Sequence, residues 1–118
     1  MNDRFKFRAW DKEKDILWYD IENCYDDWDC QNFYDYVVKD RYVIEQSTGL
    51  RDKNGKLIYE GDWLKTKGGY YCYVVWFDGF WWVKSLPSEA MDLEHSEFYK
   101  ECEVVGNIHE NADLLGEE

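Results

Sequence analysis

The sequence predicts a mainly β protein, all-β to α+β, and three observations carry that class. Aromatic residues make up 19% of the 118-residue chain, and Trp, Tyr and Phe suit a pleated, half-buried surface. Arg4 to Trp10 alternates basic and apolar residues with a period of two, and Tyr70 to Phe77 is almost wholly aromatic and β-branched. Asn54-Gly55 and Asp78-Gly79 are turn pairs with apolar runs around them, the short-range signature of hairpins. The length suits one domain. Its expected division is an N-terminal β-hairpin and acidic loop over residues 1–46, packed on a small SH3-like barrel or sheet over 47–118, with one or two short helices.

At the amino end Phe5, Phe7 and Ala9 alternate with Arg4, Lys6 and Arg8, which predicts a strand with one face buried and one wet. Asp11-Lys12-Glu13-Lys14 turns the chain and Ile16-Leu17-Trp18-Tyr19 returns it. From Asp20 to Asp40 seven acids stand against one base, with Trp28, Phe33, Tyr34 and Tyr36 interleaved, the composition of a long loop or irregular connection. Strand character resumes from Tyr36 to Glu45. Gly49 and Gly55 are placed for positive φ, and Gly61-Asp62 marks a further bend. Trp63-Leu64-Lys65 runs into the Lys67-Gly68-Gly69 turn. Beyond it, Tyr70–Phe77 pairs through Asp78-Gly79 with Phe80-Trp81-Trp82-Val83-Lys84, where cross-strand aromatic pairs add stability.

Alternation in that strand assigns Tyr71, Tyr73, Val75 and Phe77 to the interior, and Tyr70, Cys72, Val74 and Trp76 to the outside or an interface. Pro87 stops the hairpin, and Ser88 with the early acids Glu89 and Asp92 suits a short helix over 88–94. Glu103 to Ile108 reads as the last strand, and residues 111–115 as a capped helical turn. Closure of the C-terminal strands into a barrel would remove exposed edges from so aromatic a sheet.

Fourteen basic residues against twenty-six acidic ones give a net charge of -12, which repels phosphate backbones, so direct nucleic-acid binding is not expected. The excess is concentrated in residues 86–118, with ten acids and one base. No apolar run approaches the roughly 20 residues of a membrane span, and the first residues lack the apolar core of a signal peptide, so a cytoplasmic location without membrane contact is expected. Cys24, Cys30, Cys72 and Cys102 form neither a close pair nor a zinc quartet and read as free thiols.

His95 and His109 stand in no triad or metal motif. Glu60 and Asp62, two apart, would share a strand face, with Asp62 placed to satisfy backbone groups at the Gly61 turn. The acids Asp20, Glu22, Asp26, Asp27 and Asp29 offer oxygens to a hard cation, but lack the glycine and terminal glutamate of a calcium loop and read as a solvated acidic segment. No GxSxG, P-loop or Rossmann pattern is present. The expectation is a non-enzymatic protein with no catalytic residue, metal or cofactor.

Three blocks have a more specific character. They are Phe5-Lys6-Phe7-Arg8-Ala9-Trp10-Asp11; Thr48-Gly49-Leu50-Arg51-Asp52-Lys53-Asn54-Gly55-Lys56 followed by Ile58-Tyr59-Glu60-Gly61-Asp62; and Val104-Val105-Gly106-Asn107-Ile108-His109-Glu110-Asn111 with Leu114-Leu115. Together they resemble the YopX family of phage and prophage proteins over nearly the whole chain. The resemblance implies a phage or prophage origin, a bacterial host cell as the setting and a mostly β architecture. It brings no reaction, cofactor or catalytic residue to transfer. The acidic, aromatic loop from Asp20 to Tyr36 and the Trp81-Trp82 pair depart from the family pattern, so a partner would be particular to this chain.

The expected function is that of a phage-encoded accessory protein that binds a host or phage protein. Trp28, Tyr34, Tyr36, Trp76 and Trp81 are the candidate aromatic anchors, and Glu94, Glu97 and Glu101 the candidate acidic contacts. With Glu89, Asp92 and Glu103, these acids either imitate a phosphate array and inhibit host defence or nucleic-acid-handling machinery, or serve only to keep the protein soluble. As an alternative, the Trp and Tyr strands line a pocket for a nucleotide-like or aromatic metabolite. A homo-oligomer would also cover two apolar sheet faces.

Overall fold

The computed structural model describes residues 3–23, 33–77, 79–85, 90–93 and 95–110; the expected helical turn at 111–115, Trp28, Glu94, Cys24, Cys30 and the acids Asp26, Asp27 and Asp29 lie outside them. Among the described residues the elements are β1 (Phe7–Asp11), β2 (Ile16–Tyr19), α1 (Phe33–Val38), β3 (Tyr42–Arg51), β4 (Leu57–Tyr59), β5 (Asp62–Lys65), β6 (Tyr71–Phe77), β7 (Phe80–Ser85), β8 (Ala90–Asp92) and β9 (Glu103–Asn107). Turns of 3-10 helix cover Asp3–Phe5, Ile21–Asn23 and His95–Glu101. One sheet has the order β2-β1-β3-β4 and the other β8-β7-β6-β5-β9. The mainly β class is therefore the one observed. Of the two forms expected for the C-terminal half, the open sheet is the one adopted, with β8 and β9 at its ends. No described helix is long and apolar enough to cross a membrane.

The chain divides into two compact units, Met1–Ser47 and Thr48–Glu118. In the first, β1 is the middle strand, pairing antiparallel with β2 (Ala9 opposite Trp18) and with β3 (Ala9 opposite Ile44). Ala9, Ile21, Tyr36 and Tyr42 form its core, with Phe7, Phe33 and Ile44 against them. The helix α1 replaces the expected irregular connection and early strand. Phe33 and Tyr36 are three apart, so a helix puts both rings on one face, whereas an extended chain would send them to opposite faces. Phe33 lies 4.9 Å from the Phe7 ring and Tyr36 4.8 Å from that of Tyr42. A six-residue helix has little stability of its own, and this packing supplies it.

The face of β1 expected to be wet is not. Arg8 is buried, with its Nε donating to Glu45 Oε1 at 2.8 Å across the β1–β3 pair. Its guanidinium also lies 5.9 Å from the Tyr19 ring centroid on the opposite neighbour, β2. A buried cation of this kind requires a buried anion beside it, a cross-strand requirement that alternation along one strand does not reveal. At the end of β1, Asp11 is completely buried. One oxygen accepts from the amides of Glu13 and Lys14 and from Arg41 Nε, the other from Trp18 Nε1 and Arg41 Nη2. One carboxylate thus closes the β1–β2 turn and anchors the residue that leads into β3. The edge strand β2 leaves Ile16, Trp18 and Tyr19 exposed.

In the second unit Ile58, Leu64, Cys72, Val74, Trp81, Val83, Leu93 and Cys102 form the core. Asp52 organises its approach. Oδ1 accepts from the amides of Asn54 and Lys56, and Oδ2 accepts from that of Val104 at the start of β9. The loop it caps holds three residues, 53–55, closed by Asp52 N donating to Lys56 O, with Gly55 at φ 83° where an L side chain is strained. Asp62 is buried and accepts from the Tyr59 amide at 2.8 Å, the local role expected of it at the Gly61 turn. Asn107 does the same after β9, accepting from the amides of His109 and Glu110.

The register of β6 reverses the expected facing. Cys72 lies opposite Leu64 and Val74 opposite Val83, all four in the core, whereas Tyr71 and Phe77 are exposed. Both faces of β6 are apolar, so alternation defines two sets without saying which is inside. The compact Cys72 and Val74 fit the interior, and the Tyr71 hydroxyl keeps its contact with water. The helix expected at 88–94 is also corrected: Ala90–Asp92 is a strand paired with β7, and Leu93 N donates to Trp81 O. A helix that short is marginal, and the open edge of β7 offers a full ladder instead.

Two predictions follow from these buried groups. Arg41, and then the donors Trp18, Lys14 and Glu13, hold the Asp11 carboxyl far below its ordinary 3.8 despite burial, which acts the other way. A depressed carboxylate stabilises fully above its unfolded value and loses that contribution as pH falls toward the folded one. Asp11→Asn should lower stability by about 3 kcal/mol near neutrality and flatten the fall of melting temperature between pH 5 and pH 2 relative to wild type. Burial pushes the Cys72 thiol up to about 12 and that of Cys102 up to about 11. Iodoacetamide at pH 8 should leave both unmodified in the folded protein and modify both in denaturant. The unfolded thiols ionise first, so the stability they share is lost as pH rises past 9.

Candidate functional site: an aromatic hairpin tip

The β6–β7 hairpin outruns its own core. Opposite residues on paired strands share a face, so the inward row runs from Cys72 through Val74 and Val83 to Trp76 and Trp81. Cys72, Val74, Val83 and Trp81 are buried, but Trp76 is 52% exposed. Its ring stands edge-on to that of Trp81 at 4.7 Å, capping the core rather than entering it. On the other face Phe77 and Phe80 lie opposite each other, 66% and 57% exposed. Gly79 at φ 86° closes the turn, and a Cβ there would meet nothing within 4 Å, so conformation rather than crowding requires the glycine.

The tip is held by its backbone ladder and by the Trp82 indole, whose Nε1 donates to Phe77 O at 2.9 Å. Three large apolar side chains are therefore presented to solvent on a paired strand frame, an arrangement that supplies apolar contact area with little loss of conformational freedom. The tip offers no titratable side chain among the described residues, and its chemistry is that of apolar contact.

The candidate residues read from sequence separate in three ways. Trp76 and Tyr34 are exposed, Tyr34 at 68%. Tyr36 and Trp81 are buried in the cores of their units, which corrects the expectation that they face a partner. Each occupies the inward position of its element, and burial of its ring is worth more than display. Glu97 and Glu101 are exposed; Glu97 pairs with Lys100, whose ammonium pKa that carboxylate raises. Trp28 and Glu94 lie outside the described residues. Tyr34 belongs to the first unit and Trp76, Glu97 and Glu101 to the second.

Sequence reading assigned Phe77 to the interior and did not count Phe80 among the partner anchors. The signal was present in the Asp78-Gly79 turn, because residues flanking a two-residue turn have no further strand rows to cover them. Of the buried hubs, Asp11 was visible only as part of a turn, Asn107 was read as part of the last strand, and Asp52 was given no structural role. Among the described residues no group of three or more His, Cys, Asp or Glu is placed to hold a metal ion. His109 is half-buried, and its amide closes the Asn107 turn.

Comparison with known proteins agrees with this architecture. The protein EF1440 from Enterococcus faecalis has a similar structure, with a TM-score of 0.66 and 27% identity over 93% of this chain and 96% of that one. The yopX protein from Bacillus subtilis shares the fold, with a TM-score of 0.60 and 19% identity over 97% of this chain and 98% of its own. The curated proteins contain no match. The model of the family described as YopX protein matches residues 6–116, so the match takes in both units, and the chain belongs to the YopX family.

Proposed function

We propose that this protein is a non-enzymatic accessory protein of phage or prophage origin that acts by binding a bacterial or phage protein through the β6–β7 tip. The observation that carries the reading is the exposure of Trp76, Phe77 and Phe80 together on one hairpin. Aromatic anchors of this kind supply most of the affinity of an interface when they enter a pocket on the partner. The partner's contact surface is apolar at its centre and basic at its rim, because a chain of net charge -12 steers toward positive surfaces and away from negative ones. Inhibition of host defence or of nucleic-acid-handling machinery is the finer form of this reading, since such machinery carries basic grooves. Glu101 lies beside the β5–β6 turn, at the other end of β6 from the tip, so with Glu97 it contributes to this steering at a distance.

The test uses Phe77→Ser together with Phe80→Ser, which leaves the backbone acceptor of Trp82 and the Trp76–Trp81 pair in place. The melting temperature should change little. Capture of a partner from host lysate by the immobilised protein, followed by titration with the purified partner, should show binding weakened by about 30-fold or more, the loss of a hot-spot pair. Glu97→Lys with Glu101→Lys should slow association and reduce its dependence on salt. Equal capture by the aromatic double variant would sink the proposal.

A further inference from the structure

The β5–β6 hairpin carries a second surface that the aromatic tip does not use. Its turn is closed by Thr66 N donating to Tyr70 O at 2.8 Å, Gly69 N to Thr66 O at 2.9 Å and Tyr70 N to Thr66 Oγ1 at 3.1 Å. The amides of Lys67 and Gly68 donate to no acceptor among the described residues. Beside this turn lies a cleft of about 630 Å³, lined by Lys53, Lys65, Thr66, Lys67, Glu101 and Glu103 together with the turn glycines. That volume is of the size small-molecule sites occupy.

Charge in the cleft is arranged unevenly. Lys53 Nζ lies 3.8 Å from Glu103 Oε1, while Lys65 and Lys67 form no ion pair among the described residues. Two ammonium groups outside any ion pair among the described residues, beside two unused backbone amides, make a setting for an anion with several acceptor oxygens. The Thr66 hydroxyl accepts from Tyr70 N and retains its own proton to donate. Glu101 and Glu103 disfavour a bare anion, yet they are acceptors for hydroxyl donors. A ligand that satisfies all of these groups carries both phosphate and hydroxyls.

We propose that this cleft binds a phosphorylated, polyhydroxylated small molecule, a sugar phosphate or the ribose phosphate of a nucleotide. Its phosphate sits on Lys65, Lys67 and the amides of Lys67 and Gly68, and its hydroxyls donate to Glu101 and Glu103. This site is independent of the hairpin tip, so Phe77→Ser with Phe80→Ser leaves it intact.

Isothermal titration of the full chain with ribose 5-phosphate, AMP, ribose and inorganic phosphate tests it. Ribose 5-phosphate or AMP should bind saturably, and ribose and inorganic phosphate at least about tenfold more weakly. AMP the tighter of the two identifies a nucleotide, and equal affinity a sugar phosphate. Lys65→Glu with Lys67→Glu should weaken binding by at least about tenfold at unchanged melting temperature, while Lys84→Glu leaves it unaltered. No saturation by about 10 mM, equal affinity for inorganic phosphate, or full binding by the Lys65/Lys67 double variant overturns the proposal.

Discussion

Backbone amides released at tight turns must find acceptors, and in this protein buried Asx side chains provide them. Asp11 gathers two amides, an indole and a guanidinium fork. Asp52 takes two amides from its own loop and a third from Val104, fifty-two residues further on. Asp62 and Asn107 perform the same service at the ends of β4 and β9. An unpaired buried polar group costs about as much as several buried methyl groups return. Each of these side chains therefore fixes not only one turn but the strands that the turn connects.

This accounts for the blocks by which the family is recognised. Asp11 ends the first block, Asp52 and Asp62 lie in the second and Asn107 in the third. A motif of this type describes how a chain is folded, and carries no reaction with it. The glycines between them work to the same end: Gly55 and Gly61 adopt positive φ beside Asp52 and Asp62, so that a small side chain and its neighbouring carboxylate make each turn together.

The mainly β class, both Gly-centred hairpins of the second unit and the last strand were legible from alternation and turn chemistry, because those signals are local. What was not legible depends on partners distant in sequence. Arg8 looks like the wet face of a strand until Glu45 is placed beside it. The choice between the two apolar faces of β6 rests on Leu64 and Val83, and the strand at Ala90–Asp92 rests on the edge of β7. Phe33 and Tyr36 look like loop aromatics until Phe7 and Tyr42 are there to receive them. For the candidate site, Trp76 is exposed as expected, but because its inward row outruns the core; Phe77 was placed inside by the same choice of face that misplaced Tyr71, and Trp81 is buried as a member of the inward row.

The edge strand β2 gives the acidic composition a meaning that needs no partner. An exposed edge with Ile16, Trp18 and Tyr19 beside it is a template on which another chain can add a strand. Nothing in its own sequence acts as a gatekeeper: it has no proline, lysine or bulge. A net charge of -12 opposes such pairing, since like-charged copies repel one another before edges meet. Such repulsion extends only over about 8 Å at physiological ionic strength. The colloidal stability of this protein is thus a property of its ionic surroundings as much as of its fold, and concentrated salt removes the protection that the edge itself lacks.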